Sequence, residues 1–198
     1  MKRLGLLLVL VAVITALAAC SGNADNNASG NQNSNEQENT NEGEGGMDVD
    51  VQDADEDIVG TATLTEEDNG VQVNFKGEDM PKGIHAFHIH ETGECEAPDF
   101  ESAGDHFNPD DADHGFDEED GPHAGDMPNI AVGEDGNVEQ SFLLEDVTLD
   151  EDDEHSLVDD KGTALVIHED ADDGESQPAG DAGDRMACGT ITQKQQKE

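Results

Sequence analysis

The stretch Ile84-His85-Ala86-Phe87-His88-Ile89-His90 alternates as a β-strand does, and its two faces differ. Successive side chains of a strand point to opposite sides of the sheet. Phe87 and Ile89 therefore share one face, the apolar one that must meet a core. His88 and His90 share the other, a few ångströms from one another. Two imidazoles projecting together from a rigid strand make half of a metal site. His85 has the parity of Phe87 and Ile89. It is expected to face inward as a hydrogen-bonded structural histidine rather than a ligand.

The same period of two appears on both sides of this segment. Met47, Val49 and Val51 alternate with acids, and Ile58-Val59 lead into Thr61–Thr65. Val71, Val73 and Phe75 alternate again after Asn69-Gly70, a strong hairpin signal. Downstream, Ile130–Val132 and Val138–Leu144 flank Gly133-Glu134-Asp135-Gly136. Thr163–His168 and Met186–Thr192 complete the set. Eight short strands, the quoted stretch being the fourth, and almost no helical periodicity predict an all-β antiparallel sandwich or barrel.

Between the fourth and fifth strands runs a segment without periodicity, roughly Glu91 to Asp126. A loop that long in a compact domain is either functional or disordered. This one carries His106, His114, His123 and Asp126, spaced H-x7-H-x8-H-x2-D. Three imidazoles and a carboxylate suit a tetrahedral Zn²⁺, and binding it would order the loop. Taken singly, each would be an ordinary solvated histidine; the clustering of most of the histidines is what argues for metal. Cys95 and Cys188 make one possible disulfide in an exported protein, the alternative being two buried free thiols. A cross-link of that span could contribute up to ~4.7 kcal/mol in the chain-entropy account.

Composition narrows the function classes. The chain has 198 residues, with 50 Asp and Glu against 8 Lys and Arg and a formal net charge of −42. Nucleic-acid binding needs a basic surface, which these few cations cannot supply. A single long apolar run excludes a polytopic membrane protein. That run, Leu4–Ala19 behind Lys2-Arg3, is shorter than the ~20 residues of a spanning helix. It ends in Leu17-Ala18-Ala19-Cys20, which resembles the lipobox of bacterial lipoproteins. Residues 1–20 are thus expected to be a lipoprotein signal, with Cys20 diacylated. Two acyl chains suffice for stable anchoring. Residues 21–46, rich in Asn, Gly, Ser, Glu and Gln, cannot bury a core and are expected to be a disordered tether reaching roughly 30 Å. The folded domain is expected over 47–193, followed by a tail at 194–198.

Five motifs together name a family. Phe87-His88-Ile89-His90-Glu91, Gly104-Asp105-His106-Phe107-Asn108-Pro109, His123-Ala124-Gly125-Asp126, Val166-Ile167-His168-Glu169 and Gly183-Asp184-Arg185-Met186-Ala187-Cys188-Gly189 resemble copper–zinc superoxide dismutase in order and spacing. The resemblance runs from about Met47 to Ile191. It implies an eight-stranded Greek-key barrel or sandwich with long metal-binding loops. It implies copper on His88, His90, His106 and His168, and zinc on His106, His114, His123 and Asp126, with His106 as the bridging imidazolate. Asp172 matches the carboxylate linking the two sites from behind the ligands, Arg185 the arginine above copper, and Cys95–Cys188 the intrasubunit disulfide. His155 matches a non-ligand histidine. The implied substrate is superoxide, dismuted to dioxygen and hydrogen peroxide outside the cell, on a membrane lipoprotein.

Two departures stand out. Ala86 occupies a place that is often glycine in the family. The segment after His168 is short and acidic, and the lysine that often guides superoxide has no evident counterpart. Between Met47 and Ile191 the only basic residues are Lys76, Lys82, Lys161 and Arg185. Excess carboxylates keep a protein soluble in brine at the cost of self-repulsion, so a salt-adapted enzyme is expected. A non-catalytic zinc- or copper-binding surface protein of the same fold is the alternative, though its usual sign, a missing copper ligand, is not present. A nonspecific acidic cation buffer would need no fixed histidine spacing. The sequence leaves monomer and homodimer equally open.

Overall fold

A computed structural model describes residues 46–195 of the chain. The expected signal segment with Cys20, the expected tether up to residue 45 and the last three residues of the tail lie outside the described residues. Nine strands are present among the described residues: β1 (Met47–Asp53), β2 (Ile58–Glu67), β3 (Gly70–Gly77), β4 (Gly83–His85), β5 (Phe87–His90), β6 (Ile130–Val132), β7 (Val138–Glu145), β8 (Thr163–His168) and β9 (Arg185–Ile191). The order β5-β8-β9-β1-β2-β3-β7 forms one sheet, and β4 pairs with β6 in a second. Every pairing is antiparallel. The non-sequential neighbours give the all-β Greek-key sandwich its crossed connections.

The expected count of eight changes because the fourth strand divides at Ala86. Before it, Gly83–His85 pair with β6; after it, Phe87–His90 pair with β8. His85 is buried as expected, but the break interrupts the parity reasoning. Its ring meets backbone carbonyls instead of the apolar core: Nδ1 lies 2.9 Å from the Glu169 carbonyl and Nε2 2.9 Å from that of Pro81.

Alternation sets the inner face elsewhere. Met47, Val49, Val51, Leu64, Val73, Phe75, Ile89, Leu165 and Ile167 are all buried in one cluster. Phe87 on β5 packs 5.1 Å from Phe75 on β3 and 5.8 Å from Phe142 on β7, centroid to centroid. β5 and β7 are the two edges of the long sheet, so this aromatic trio draws its edges together around the core. The β2–β3 hairpin turns on Asp68-Asn69, and Gly70 opens β3 with φ +141°. A Cβ there would lie 2.0 Å from the Leu144 carbonyl oxygen, so only glycine fits.

β5 and β8 are buried on both faces, unlike β1, whose alternate residues are exposed. Their second face is covered by the long loop after β5. Phe100 and Ala103, at a short 3₁₀ turn Glu101–Ala103, pack on Ala164, Val166 and Cys188. The Cys95–Cys188 disulfide fastens that loop to β9, with its sulfurs 2.01 Å apart.

Truncating a fully buried aromatic forfeits transfer energy and leaves a cavity. Phe87→Ala should lower the unfolding free energy by ~3–5 kcal/mol in urea titration of the disulfide-intact protein. Leu143→Ala, on the exposed face of β7, should change it by less than ~0.5 kcal/mol; equal losses would contradict the assignment of faces.

Candidate metal centre

Strand β5 positions the site through its free backbone edge as well as its side chains. Two pieces of the long loop run alongside it. The Phe107 N–H donates to the Ile89 carbonyl (2.9 Å), and the Glu91 N–H to the Asp105 carbonyl (2.9 Å). The Ile89 N–H donates to the Gly125 carbonyl (2.8 Å), and the Gly125 N–H to the Phe107 carbonyl (2.9 Å). These bonds bring His106 opposite His90 and Asp126 opposite His88. Gly125 is required here, since a Cβ would sit 2.4 Å from the Ile89 carbonyl oxygen. His168 arrives from β8, which pairs with β5 on its other side.

Two groups of four side chains result, and both are buried. One contains His88, His90, His106 and His168; the other contains His106, His114, His123 and Asp126, with the potential ligand atoms of each within 4.8 Å of one another. His106 belongs to both. Its Nδ1 faces Asp126 Oδ1 at 2.8 Å, which leaves Nε2 on the other group's side. The ring centroids of His106 and His88 are 4.1 Å apart.

The donor set fits metal ions. His88 Nδ1 and His106 Nε2 are buried without a hydrogen-bond partner among the described residues. Burying such atoms unsatisfied is costly. His168 Nε2 faces His90 Nε2 at 3.4 Å, and His123 Nδ1 faces His106 Nδ1 at 3.4 Å. Two lone pairs aimed at one another repel, and one proton between them satisfies a single bond. Ligand nitrogens around a tetrahedral cation with bonds of ~2.0–2.1 Å lie about 3.3 Å apart. His114 Nδ1 lies 3.0 Å from Asp126 Oδ2 without the alignment of a hydrogen bond, as atoms converging on a third point do.

The other ring nitrogens are held from behind. His90 Nδ1 meets the Gly104 carbonyl at 3.0 Å, and His168 Nδ1 the Gly183 carbonyl at 3.4 Å. Asp172 joins the two groups: Oδ2 is 2.7 Å from His88 Nε2, and Oδ1 is 3.1 Å from His114 Nε2. Such outer contacts fix which nitrogen is free to ligate. His155, in contrast, stands apart from both groups, bonded to the Asp146 carbonyl and 3.3 Å from Asp110.

Three supports escaped the sequence reading. Asn129 accepts from the Asp172 N–H (2.9 Å) and donates to its carbonyl (2.9 Å). Gln177 does the same for the backbone of His114, at 2.9 and 2.8 Å. Gly180 leaves room for the Asp172 carboxylate, which a Cβ would meet at 2.0 Å. A lone Asn, Gln or Gly carries no spacing pattern, so no signal in one sequence could have marked them.

A cavity of about 300 Å³ opens onto the first group and is lined also by Arg185. Arg185 donates to the Phe100 carbonyl (2.7 Å) and the Gly104 carbonyl (2.6 Å), which orients its planar fork. Burial lowers its pKa, while Asp105, Glu101 and Asp99 oppose the shift.

The family model described as copper/zinc superoxide dismutase matches residues 58–191. A superoxide dismutase [Cu-Zn] of Aquifex aeolicus (strain VF5) is 48% identical over 136 residues, covering 68% of this chain and 80% of that protein. A superoxide dismutase-like protein of Bacillus subtilis (strain 168) is 39% identical over 133 residues, covering 67% of this chain and 68% of that protein. Among solved structures, a double mutant of a SOD-like protein from Bacillus subtilis, with histidine replacing a tyrosine and a proline, superposes with TM-score 0.72 at 38% identity. The match covers 75% of this chain and 99% of that one. The fold and paired metal-binding groups are those of a metalloenzyme of the oxidoreductase class. The chain belongs to the copper/zinc superoxide dismutase family.

Burial, then the surrounding imidazoles, pull His90 well below its ordinary pKa and His168 down to about 3. Burial alone would raise Asp126, but hydrogen bonds from His106 and His123 hold it far below the usual carboxylate range. Without metal, the unfolded chain therefore binds more protons than the folded one. The histidine contribution is complete above the unfolded value of 6.5 and is lost as pH falls toward 3. That of Asp126 is lost as pH falls below its unfolded 3.8. In ~1 M salt, where surface repulsion is screened, the melting temperature of the metal-free protein should fall steadily between pH 6.5 and 3. A flat profile in differential scanning fluorimetry would contradict the protonation states assigned to the buried groups.

Proposed function

We propose that the chain dismutes superoxide to dioxygen and hydrogen peroxide, with copper held by His88, His90, His106 and His168 and zinc by His106, His114, His123 and Asp126. The observation that carries this is the pair of buried four-residue groups sharing His106. Copper, alternating between its common oxidation states, would take an electron from one superoxide and give one to a second, with two protons consumed per pair. Arg185 lines the approach and offers a cation to the anionic substrate. Its guanidinium is held flat by two carbonyls, so its donors are oriented before substrate arrives. His106 Nε2, which has no hydrogen-bond partner among the described residues, would hold a proton in the part of the cycle in which it does not ligate copper and release it to the peroxide. Sharing zinc with Asp126 would keep that ring in one orientation throughout. Asp172 would keep His88 and His114 in fixed tautomers.

The setting proposed for this activity is outside the cell, on a membrane lipid attached at Cys20, with the 21–46 tether spacing the 47–193 domain from the surface. The disulfide supports an oxidising compartment. A non-catalytic metal-binding role is the second reading, favoured by the dismutase-like description of the Bacillus relative. Histidine at all four proposed copper positions argues for turnover.

Metal analysis with pulse-radiolysis measurement of superoxide decay separates the two. The loaded protein should consume superoxide, and His168→Ala should abolish that activity while retaining zinc. Zinc bound tightly with no turnover after copper loading would favour the non-catalytic reading.

Salt adaptation is proposed from the −42 charge and the scarcity of lysine. Activity of the loaded enzyme and its melting temperature should both rise as salt goes from tens of millimolar toward ~1 M, where the Debye length is ~3 Å. A flat or falling response would remove the proposed salt requirement.

A further inference from the structure

The cavity above the first histidine group carries an unexpected charge for an anion's route. Its lining includes Glu91, Asp105 and Asp111 against a single cation among the described residues, Arg185. All three carboxylates are exposed, whereas Arg185 is half-buried with two donors committed to backbone carbonyls. The floor is of the opposite kind. His106 lines it, is 94% buried in the sense that only 6% of its surface is exposed, and has an Nε2 without a hydrogen-bond partner. His168 lines the same floor and is also buried. An acidic mouth over buried imidazoles, one of them with a bare nitrogen, is arranged for a cation that loses water as it descends.

The backbone holds this mouth in shape. Asp111 has φ +54°, and the turn around it is closed by Asn108, whose side chain bonds both the N–H and the carbonyl of Ala112. Glu91 lies over Gly104, where a Cβ would come within 2.8 Å of its carboxylate. Glu91 Oε1 also faces the Asp105 N–H at 3.5 Å. The carboxylates therefore stand on ordered backbone around the opening.

We propose that Glu91, Asp105 and Asp111 form a vestibule that captures copper ions for the buried histidines, and that superoxide enters against their field. The inference rests on the dismutase reading but concerns a different step, the acquisition of the metal. Charged clefts raise the local concentration and on-rate of ions of opposite sign by ~10–10³. The same field lowers the on-rate of an anion. Salt weakens both effects together, so the vestibule favours copper uptake and opposes superoxide entry chiefly at low ionic strength.

The test uses the full chain loaded with zinc and free of copper. Cupric ion alone is added, and uptake is followed by stopped-flow visible absorption and by the copper electron paramagnetic resonance signal. The variant combines Glu91→Gln, Asp105→Asn and Asp111→Asn; Asn tolerates the left-handed backbone at position 111. A control variant, Asp48→Asn, Asp50→Asn and Glu78→Gln, removes three exposed acids that do not line the cavity. At low ionic strength the vestibule variant should bind copper about tenfold more slowly than the parent. The control should differ from the parent by less than twofold, and in ~1 M salt all three should converge. Once loaded, the vestibule variant should consume superoxide several-fold faster than the parent at low salt. Equal uptake rates for parent and vestibule variant, with copper bound in both, would overturn the vestibule and leave the dismutase reading intact. A parent that binds no copper would overturn both.

Discussion

The exposed hydrogen-bonding edge of β5 is the constraint on which the site depends. A short strand at a sheet edge presents unpaired N–H and C=O groups. Here they are satisfied by the chain's own loop, through Phe107, Asp105 and Gly125. That pairing is what turns a loop of more than thirty residues into a wall of the candidate metal centre. It sets His106 opposite His90 and Asp126 opposite His88 to within one residue of register. A slip by one residue would turn these side chains to the other face. The disulfide and the small cluster under Phe100 hold the remaining end of the loop to β8 and β9.

A second constraint follows from burial. The site removes six imidazoles and a carboxylate from water, and burial lowers the pKa of His90, His106 and His168, so protons are unfavourable there. Neutral imidazoles packed at these separations have lone pairs to spare and few donors to meet them. Asp172 takes the outer nitrogens of His88 and His114, Asn129 and Gln177 hold the backbones of Asp172 and His114, and the inner nitrogens of His88 and His114 are left bare. Metal affinity is thus prepared by the fold: the protein has already borne the cost of desolvating and orienting the ligands. The acidic surface around the cavity works in the same direction for cations and against it for the anionic substrate. Arg185, fixed between two carbonyls, is the local exception.

Much of this was legible in the residues. Strand alternation separated Phe87 and Ile89 from His88 and His90, and the structure places them in the core and in the buried four-histidine group respectively. The paired cysteines were one of two open readings until the resemblance and then the structure joined them. The division at Ala86 was legible only as a change of phase, with apolar residues at Ile84 and Ala86 before it and at Phe87 and Ile89 after it, which does not by itself say that the strand changes partners. The roles of Asn129, Gln177 and Gly180 were equally hidden, since each acts through a contact made far away in sequence.

What the sequence determined by itself was the inventory: the all-β pattern, the His88 and His90 pair, the spacing of His106, His114, His123 and Asp126, the scarcity of cations and the class of chemistry these allow. Those properties are local, set by side-chain period, residue type and spacing along the chain. What only the tertiary structure decided was convergence. It set which nitrogen of each ring faces inward, which carbonyls hold Arg185, and which carboxylates stand at the cavity mouth. These depend on backbone register between segments far apart in sequence, and register is a property of the closed sheet rather than of any stretch within it.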